Sequence, residues 1–303
     1  MPWETIKLND GRTIPSIAYG TWTLGNGQST IDNVDQALDT GFDHIDTAQS
    51  YRNEQEAGTA FHQSGLKRED VFITTKYSGL NGLDIPTSIQ DSVKNLGVDY
   101  VDLYLVHSPR LAVPDIPTSW AQMEKVKSDG LAKSIGVSNF EIRDLEILLA
   151  SAKVKPVANQ ILLHPYVWER QAPLVAFCEK NGIVVEAYSV LVPITRQPGG
   201  PVDKVVTKVA DRLKVAPEQI LLAWAKAKGA VVVTSSTKKD RLERYLDAGD
   251  IKLTEDDIAA IDDAGKTGAK RQRARAFITR AITVGLVGAA ALGICAYIGI
   301  DVL

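Results

Sequence analysis

Cysteine is scarce. The 303 residues contain two, Cys178 and Cys295, far apart and each in apolar surroundings, which excludes a disulfide framework or a thiolate metal centre and fits a reducing compartment. Histidine is nearly as rare: His44, His62, His107 and His164 show no spacing that a metal site uses, so no metal is expected. A Gly-x-Gly-x-x-Gly run is missing behind every candidate strand, which argues against a Rossmann nucleotide site. The first thirty residues hold no apolar run, so a secretory signal is not expected. Nor is there an excess of base; the formal net charge is −3, and no nucleic-acid partner is implied.

What the chain does have is a regular alternation of short apolar strands and amphipathic stretches. Ile6 to Leu8 and Arg12 to Ile14 flank Asn9-Asp10-Gly11, a turn sequence that predicts an N-terminal β-hairpin. Strands are predicted at 17–21, 44–48, 71–76, 101–107, 134–138, 157–161, 183–188 and 230–234. Helices are predicted at 32–39, 53–64, 86–96, 118–129, 141–150, 170–181, 203–213, 217–228 and 239–248, with a last one at about 254–265. Eight strand–helix units in a chain of this length point to an α/β fold, a closed (β/α)8 TIM barrel, with the hairpin plugging its bottom.

A barrel places its chemistry at the carboxyl ends of its strands. Within Gly41-Phe-Asp-His-Ile-Asp-Thr-Ala-Gln-Ser-Tyr51 one strand ends on Asp46, and Tyr51 follows in the next loop. The next strand ends on Lys76 and the one after on His107. Taken singly, each reads equally well as a helix cap, a packed phenol, a solvent-reaching lysine or a core histidine. Together at three successive strand ends they form a proton-transfer set. Asp46 would pair with Lys76, whose ammonium would stabilise the Tyr51 phenolate and lower the phenol's pKa, making it a usable acid. His107 would orient and polarise a carbonyl oxygen for attack by hydride.

These pieces, with Asn53-Glu54, Leu105-Val-His-Ser-Pro109, Gly136-Val-Ser-Asn-Phe140, Asn159-Gln160, His164-Pro165-Tyr166 and Ala187-Tyr-Ser189, resemble the aldo-keto reductases in family order. The resemblance implies a nicotinamide dinucleotide held in extended form without a Rossmann domain, and reduction of aldehydes, ketones or α-dicarbonyls with Tyr51 as general acid. It further implies that Ser138, Asn139 and Gln160 hold the nicotinamide carboxamide, that Tyr188 stacks on its ring, and that Ser189 and Leu191 grip the pyrophosphate. Thr21 and Trp22 would line the pocket beside the cofactor, and Trp22 and His107 would meet the substrate.

After the eighth strand the family uses a lysine, a serine and an arginine to clamp the 2′-phosphate of NADP. Here Ser235 takes the lysine position, while Ser236 and Arg241 stand in register and Lys238 is close in sequence. The run resembles that of fungal NADPH-dependent ketoamide and conjugated polyketone reductases, and arginine is the better bidentate phosphate partner. NADPH is therefore the expected cofactor, with NADH the second candidate. Leu162, Val190, Val192, Arg244 and Tyr245 also depart from the family pattern. A second reading, from sensor relatives in the same superfamily, is a nucleotide-binding redox sensor that regulates a membrane protein.

The end of the chain is unlike the rest. No acidic residue occurs from Ala264 to Ile300, and Lys266, Lys270, Arg271, Arg273, Arg275 and Arg280 crowd the first half of that span; the chain without residues 264–303 carries −8. Ala281 to Ile300 is free of charge for twenty residues, enough for a helix of about 30 Å. The expected organisation is a barrel over 1–265, a basic juxtamembrane linker over 266–280 and a C-terminal transmembrane helix over 281–300. The basic collar would keep the catalytic domain on the cytosolic side, and the short span slightly favours the endoplasmic reticulum.

Overall fold

The computed structural model describes residues 3–271. Two short strands, β1 (Thr5–Lys7) and β2 (Thr13–Pro15), pair antiparallel around the Asn9-Asp10-Gly11 turn. Eight strands then close a parallel barrel in sequence order: β3 (Ile17–Gly20), β4 (His44–Asp46), β5 (Phe72–Tyr77), β6 (Val101–Val106), β7 (Ala132–Ser138), β8 (Ala158–Leu162), β9 (Val184–Tyr188) and β10 (Val231–Thr234). The predicted barrel is present.

Helices α1 (Gln28–Thr40), α2 (Glu54–Gln63), α3 (Ile85–Leu96), α4 (Ile116–Ser128), α5 (Ile142–Ser151) and α6 (Pro165–Lys180) follow β3 to β8 in turn. The β9 connection carries a single turn, α7 (Val192–Thr195), then α8 (Pro201–Leu213) and α9 (Pro217–Ala227), and α10 (Lys239–Asp247) follows β10. Asp84 and Asp115 cap α3 and α4 by accepting the backbone N–H groups of Thr87 and Thr118, which satisfies donors that a helix start leaves free. Helix α6 begins five residues before the expected 170, because Pro165 fits the first helical position, where its missing N–H costs nothing.

The hairpin seals the bottom. Leu8 and Ile14 are buried against Leu103, Leu105, Val157, Ala158 and Val231 of the barrel interior. Its turn is also bolted on: Asp10 Oδ2 accepts from Lys127 Nζ at 2.7 Å and Ser134 Oγ at 2.8 Å, and Asn9 Nδ2 donates to the Pro156 carbonyl at 2.8 Å. With the bottom closed, ligands have only the carboxyl-end mouth to enter by.

A last helix, α11, runs from 255 through 271, six residues past the expected end at 265. Gly265 does not end it. A Cβ on Gly265 would collide with the Pro165 carbonyl, and one on Gly268 with the Tyr166 ring, so both glycines let α11 press against the start of α6. That start follows the carboxyl end of β8, so α11 reaches the mouth side of the barrel. Among the described residues no helix is long and apolar enough to cross a membrane, and the expected span 281–300 lies outside them.

Candidate active site

Asp46 is the last residue of β4, and Lys76 lies one residue before the end of β5. Strand backbone fixes both, so their side chains meet in the barrel interior rather than at its rim. Lys76 Nζ donates to Asp46 Oδ1 at 2.7 Å, to the Thr47 carbonyl at 2.9 Å and to the Tyr51 hydroxyl at 3.3 Å. The lysine is completely buried. A buried ammonium is tolerated only when its protons are spoken for, and here three oxygens take them.

Tyr51 comes from the single 3₁₀ turn Gln49–Tyr51 behind β4. Its ring meets that of His107 edge to face, with centroids 5.6 Å apart. Asn139 Nδ2 donates to the His107 carbonyl at 3.0 Å, and the hydroxyls of Ser78 and Ser50 lie 3.0 and 3.3 Å from His107 Nδ1. Where either hydroxyl donates to Nδ1, the imidazole proton stays on Nε2. Asp46, Lys76, Tyr51 and His107 are thus one constellation, as expected.

The electrostatics correct one expectation. Burial pushes the Tyr51 phenol up; Lys76 pulls it down and Asp46 pushes it up again, and the net direction is upward, not downward. Desolvation of the phenolate outweighs the ammonium. Tyr51 therefore stays protonated through neutral pH, and Lys76 limits the cost of forming its phenolate. Burial pulls the Lys76 ammonium down, but Asp46 and Tyr51 more than offset this and raise it, so it keeps its charge. Burial, aided by Lys76 and opposed by Asp46, lowers the His107 imidazole to about 4, which makes it a neutral hydrogen-bonding group at pH 7.

Asp46, Tyr51 and His107 open onto a cavity of about 640 Å³, lined further by Trp22, Ser138, Asn139, Gln160, Tyr188, Ser189, Leu191, Ser235 and Arg241. Its volume falls in the range of small-molecule and cofactor sites. Gln160 Nε2 donates to Asp46 Oδ2 at 2.8 Å, tying the amide to the charged pair. Asn139 is a brace as well as a wall, because its Oδ1 accepts from the Tyr188 hydroxyl at 2.8 Å. Asn139 and Ser189, directly after β7 and β9, both adopt left-handed backbone with φ of 60° and 61°. Strain of this kind concentrates at functional sites. Trp22 stands at the mouth, 53% exposed.

Two of the expected cofactor contacts do not line the cavity. Thr21 is buried behind it, its hydroxyl shared with Thr47 Oγ1 and Asn53 Oδ1, both at 2.9 Å. Ser236 accepts from the Lys238 backbone N–H at 3.1 Å and closes its own turn. Conversely, Ser50, Val192, Thr195, Arg196 and Tyr245 line the cavity without having been singled out as ligands; Ser50, beside Tyr51 in a loop between strand ends, carried the one local signal. Arg241, also on the cavity wall, has a buried Nε without a partner, while its guanidinium reaches the Tyr245 side chain. A cavity-wall arginine with hydrogen-bonding capacity to spare fits an anionic ligand group there. Among the described residues no cluster of His, Cys, Asp and Glu could hold a metal ion.

Comparison with known proteins agrees with this geometry. Residues 16–266 match the model of the aldo/keto reductase family. An NAD/NADP-dependent indole-3-acetaldehyde reductase of Schizosaccharomyces pombe is 39% identical over 87% of this chain and 95% of its own length. Methylglyoxal reductase DkgA of Escherichia coli is 36% identical over 84% of this chain and 91% of its own length. The crystal structure of Bombyx mori aldo-keto reductase AKR2E4 in complex with NADP superposes with a TM-score of 0.78 at 33% identity, over 86% of this chain and 92% of that one. With a closed parallel barrel, a tyrosine, lysine, aspartate and histidine converging in its mouth, and matches over nearly its whole described length, the chain belongs to the aldo/keto reductase family and is an NAD(P)-dependent carbonyl reductase.

Proposed function

We propose that the protein reduces small aldehydes, ketones and α-dicarbonyls to alcohols, with NADPH as reductant and Tyr51 as general acid. The observation that carries this reading is the Tyr51 hydroxyl 3.3 Å from a fully buried ammonium, on the wall of a cavity that His107 shares. When bound, the reduced nicotinamide supplies a hydride to the carbonyl carbon. Tyr51 gives its proton to the carbonyl oxygen, Lys76 stabilises the phenolate left behind, and solvent restores the proton. His107 directs the oxygen toward Tyr51. Gln160, Ser138 and Asn139 are the polar groups positioned to take a carboxamide, beside the Tyr188 ring. Nothing among the described residues favours the sensor reading.

Arg241 is the cation assigned to the 2′-phosphate, with Ser235 beside it in the cavity wall. Arg244 is already committed to Glu218 at 3.1 Å and Asp240 at 2.9 Å. NADPH oxidation measured against a panel containing methylglyoxal, an indolyl aldehyde and simple aryl aldehydes tests the reaction. Charge-assisted hydrogen bonds contribute about 1.5–3 kcal/mol, so Arg241→Ala is expected to weaken NADPH binding by about 10- to 100-fold and to leave NADH within about threefold. Equal loss for both nucleotides would move the phosphate site elsewhere.

Residues 281–300 are proposed as a membrane anchor, with the reductase facing the cytosol. Support comes from the uncharged run, the basic collar before it and the approach of α11 to the mouth side. Removal of residues 272–303 is expected to shift the protein from the membrane pellet to the supernatant while turnover of simple aldehydes stays within about twofold. Full-length protein that stays in the supernatant would sink the anchor.

A further inference from the structure

Glu186 lies midway along β9 and is completely buried. Its register partners are Gln160 on β8 and Val231 on β10, and across the barrel Asp46 of β4 and Lys76 of β5 act on it. Neither carboxyl oxygen has a well-formed hydrogen bond. Gln160, the neighbouring amide that favours its anion, already gives Nε2 to Asp46. A carboxyl so placed is costly to keep, whereas Val or Leu would fill the space without that cost.

We propose that Glu186 makes the proton transfer sensitive to pH: held as the neutral acid, in register with the Gln160 that holds Asp46, it leaves the ammonium free to favour the Tyr51 phenolate, and on ionising it weakens that hold and slows reduction. The inference rests on Tyr51 being the acid. Burial first, then the charge of Asp46, push the Glu186 carboxyl up to about 8, with Lys76 and the Gln160 amide opposing only in part. As pH rises through that value a second negative charge appears beside Lys76. The positive potential at Tyr51 falls, and the phenolate formed in the transition state is less stabilised. The Tyr51 phenol is itself raised above its ordinary value of 10.0, so a step from Glu186 precedes titration of the acid.

The test is kcat/KM for an aldehyde between pH 6 and 10 in the wild type, E186Q and E186L. A shift of about one unit in the acidity of Tyr51 corresponds to about a three- to tenfold change in rate. The wild type is expected to fall by that factor across a step centred near pH 8. Both variants are expected to lack the step while keeping kcat/KM at pH 6.5 within about threefold of the wild type. Infrared spectra of the wild-type protein without substrate give a reading that needs no turnover and no variant. A protonated carboxyl band should be present at pH 7 and vanish by pH 9, and E186Q should lack it. Persistence of the step near pH 8 in the variants overturns the proposal, as does a wild-type protein with no protonated carboxyl at pH 7. A chain without reductase activity that still shows the carboxyl band would instead count against the proposed reductase function on which the inference rests.

Discussion

Tyr51→Phe is expected to lower kcat for carbonyl reduction by about 10³-fold, within the 10²- to 10⁴-fold that a positioned general acid contributes. The cofactor should still bind within about twofold, because the hydroxyl's described contact is Lys76 Nζ and not the Gln160, Asn139 or Arg241 side chains. Folding should be intact, since Lys76 keeps Asp46 and the Thr47 carbonyl. Stopped-flow reduction, with nucleotide affinity read by fluorescence quenching, separates the two effects. His107 cannot substitute as the acid at neutral pH, because burial holds its imidazole near 4 and leaves it uncharged. A Tyr51→Phe protein that retains more than about a tenth of the wild-type rate would mean that the proton comes from elsewhere.

The constellation was legible because three of its members lie within one residue of the ends of successive strands, and a closed barrel forces successive strand ends together. Asp46, Lys76 and His107 needed only the strand pattern and the mouth rule. The sign of the Tyr51 shift was not legible, since sequence names the ammonium beside a phenol but not how deeply both are buried. That Thr21 and Ser236 lie off the cavity wall was not legible for a related reason. Each follows a strand end closely, yet a side chain there can enter a turn or a buried network instead of the cavity. The β9–α9 connection hid Thr195 and Arg196 because it has no single period to read. Gly265 looked like a helix end, but tertiary packing against α6 uses it as a point of close approach.

Lys76→Met is the change with the largest expected effect on stability, and it separates two roles that the lysine combines. Methionine keeps most of the stem's volume, so the loss reports the ammonium. Removing one partner of a buried pair costs about 3–5 kcal/mol, because the other charge is left uncompensated; Asp46 would keep only the Gln160 amide among its described side-chain partners. Urea unfolding should show that loss, and kcat should fall with it, since nothing then favours the phenolate. Adding Asp46→Asn removes the stranded charge. The double variant is expected to regain all but about 1–2 kcal/mol of the lost stability, as buried pairs replaced together are often close to neutral. Its kcat should stay depressed by at least about 100-fold, because neutrality at this position restores the core but not the field at Tyr51. Recovery of both quantities together would make Lys76 a structural residue only; recovery of stability alone identifies the ammonium as the group that makes Tyr51 a working acid.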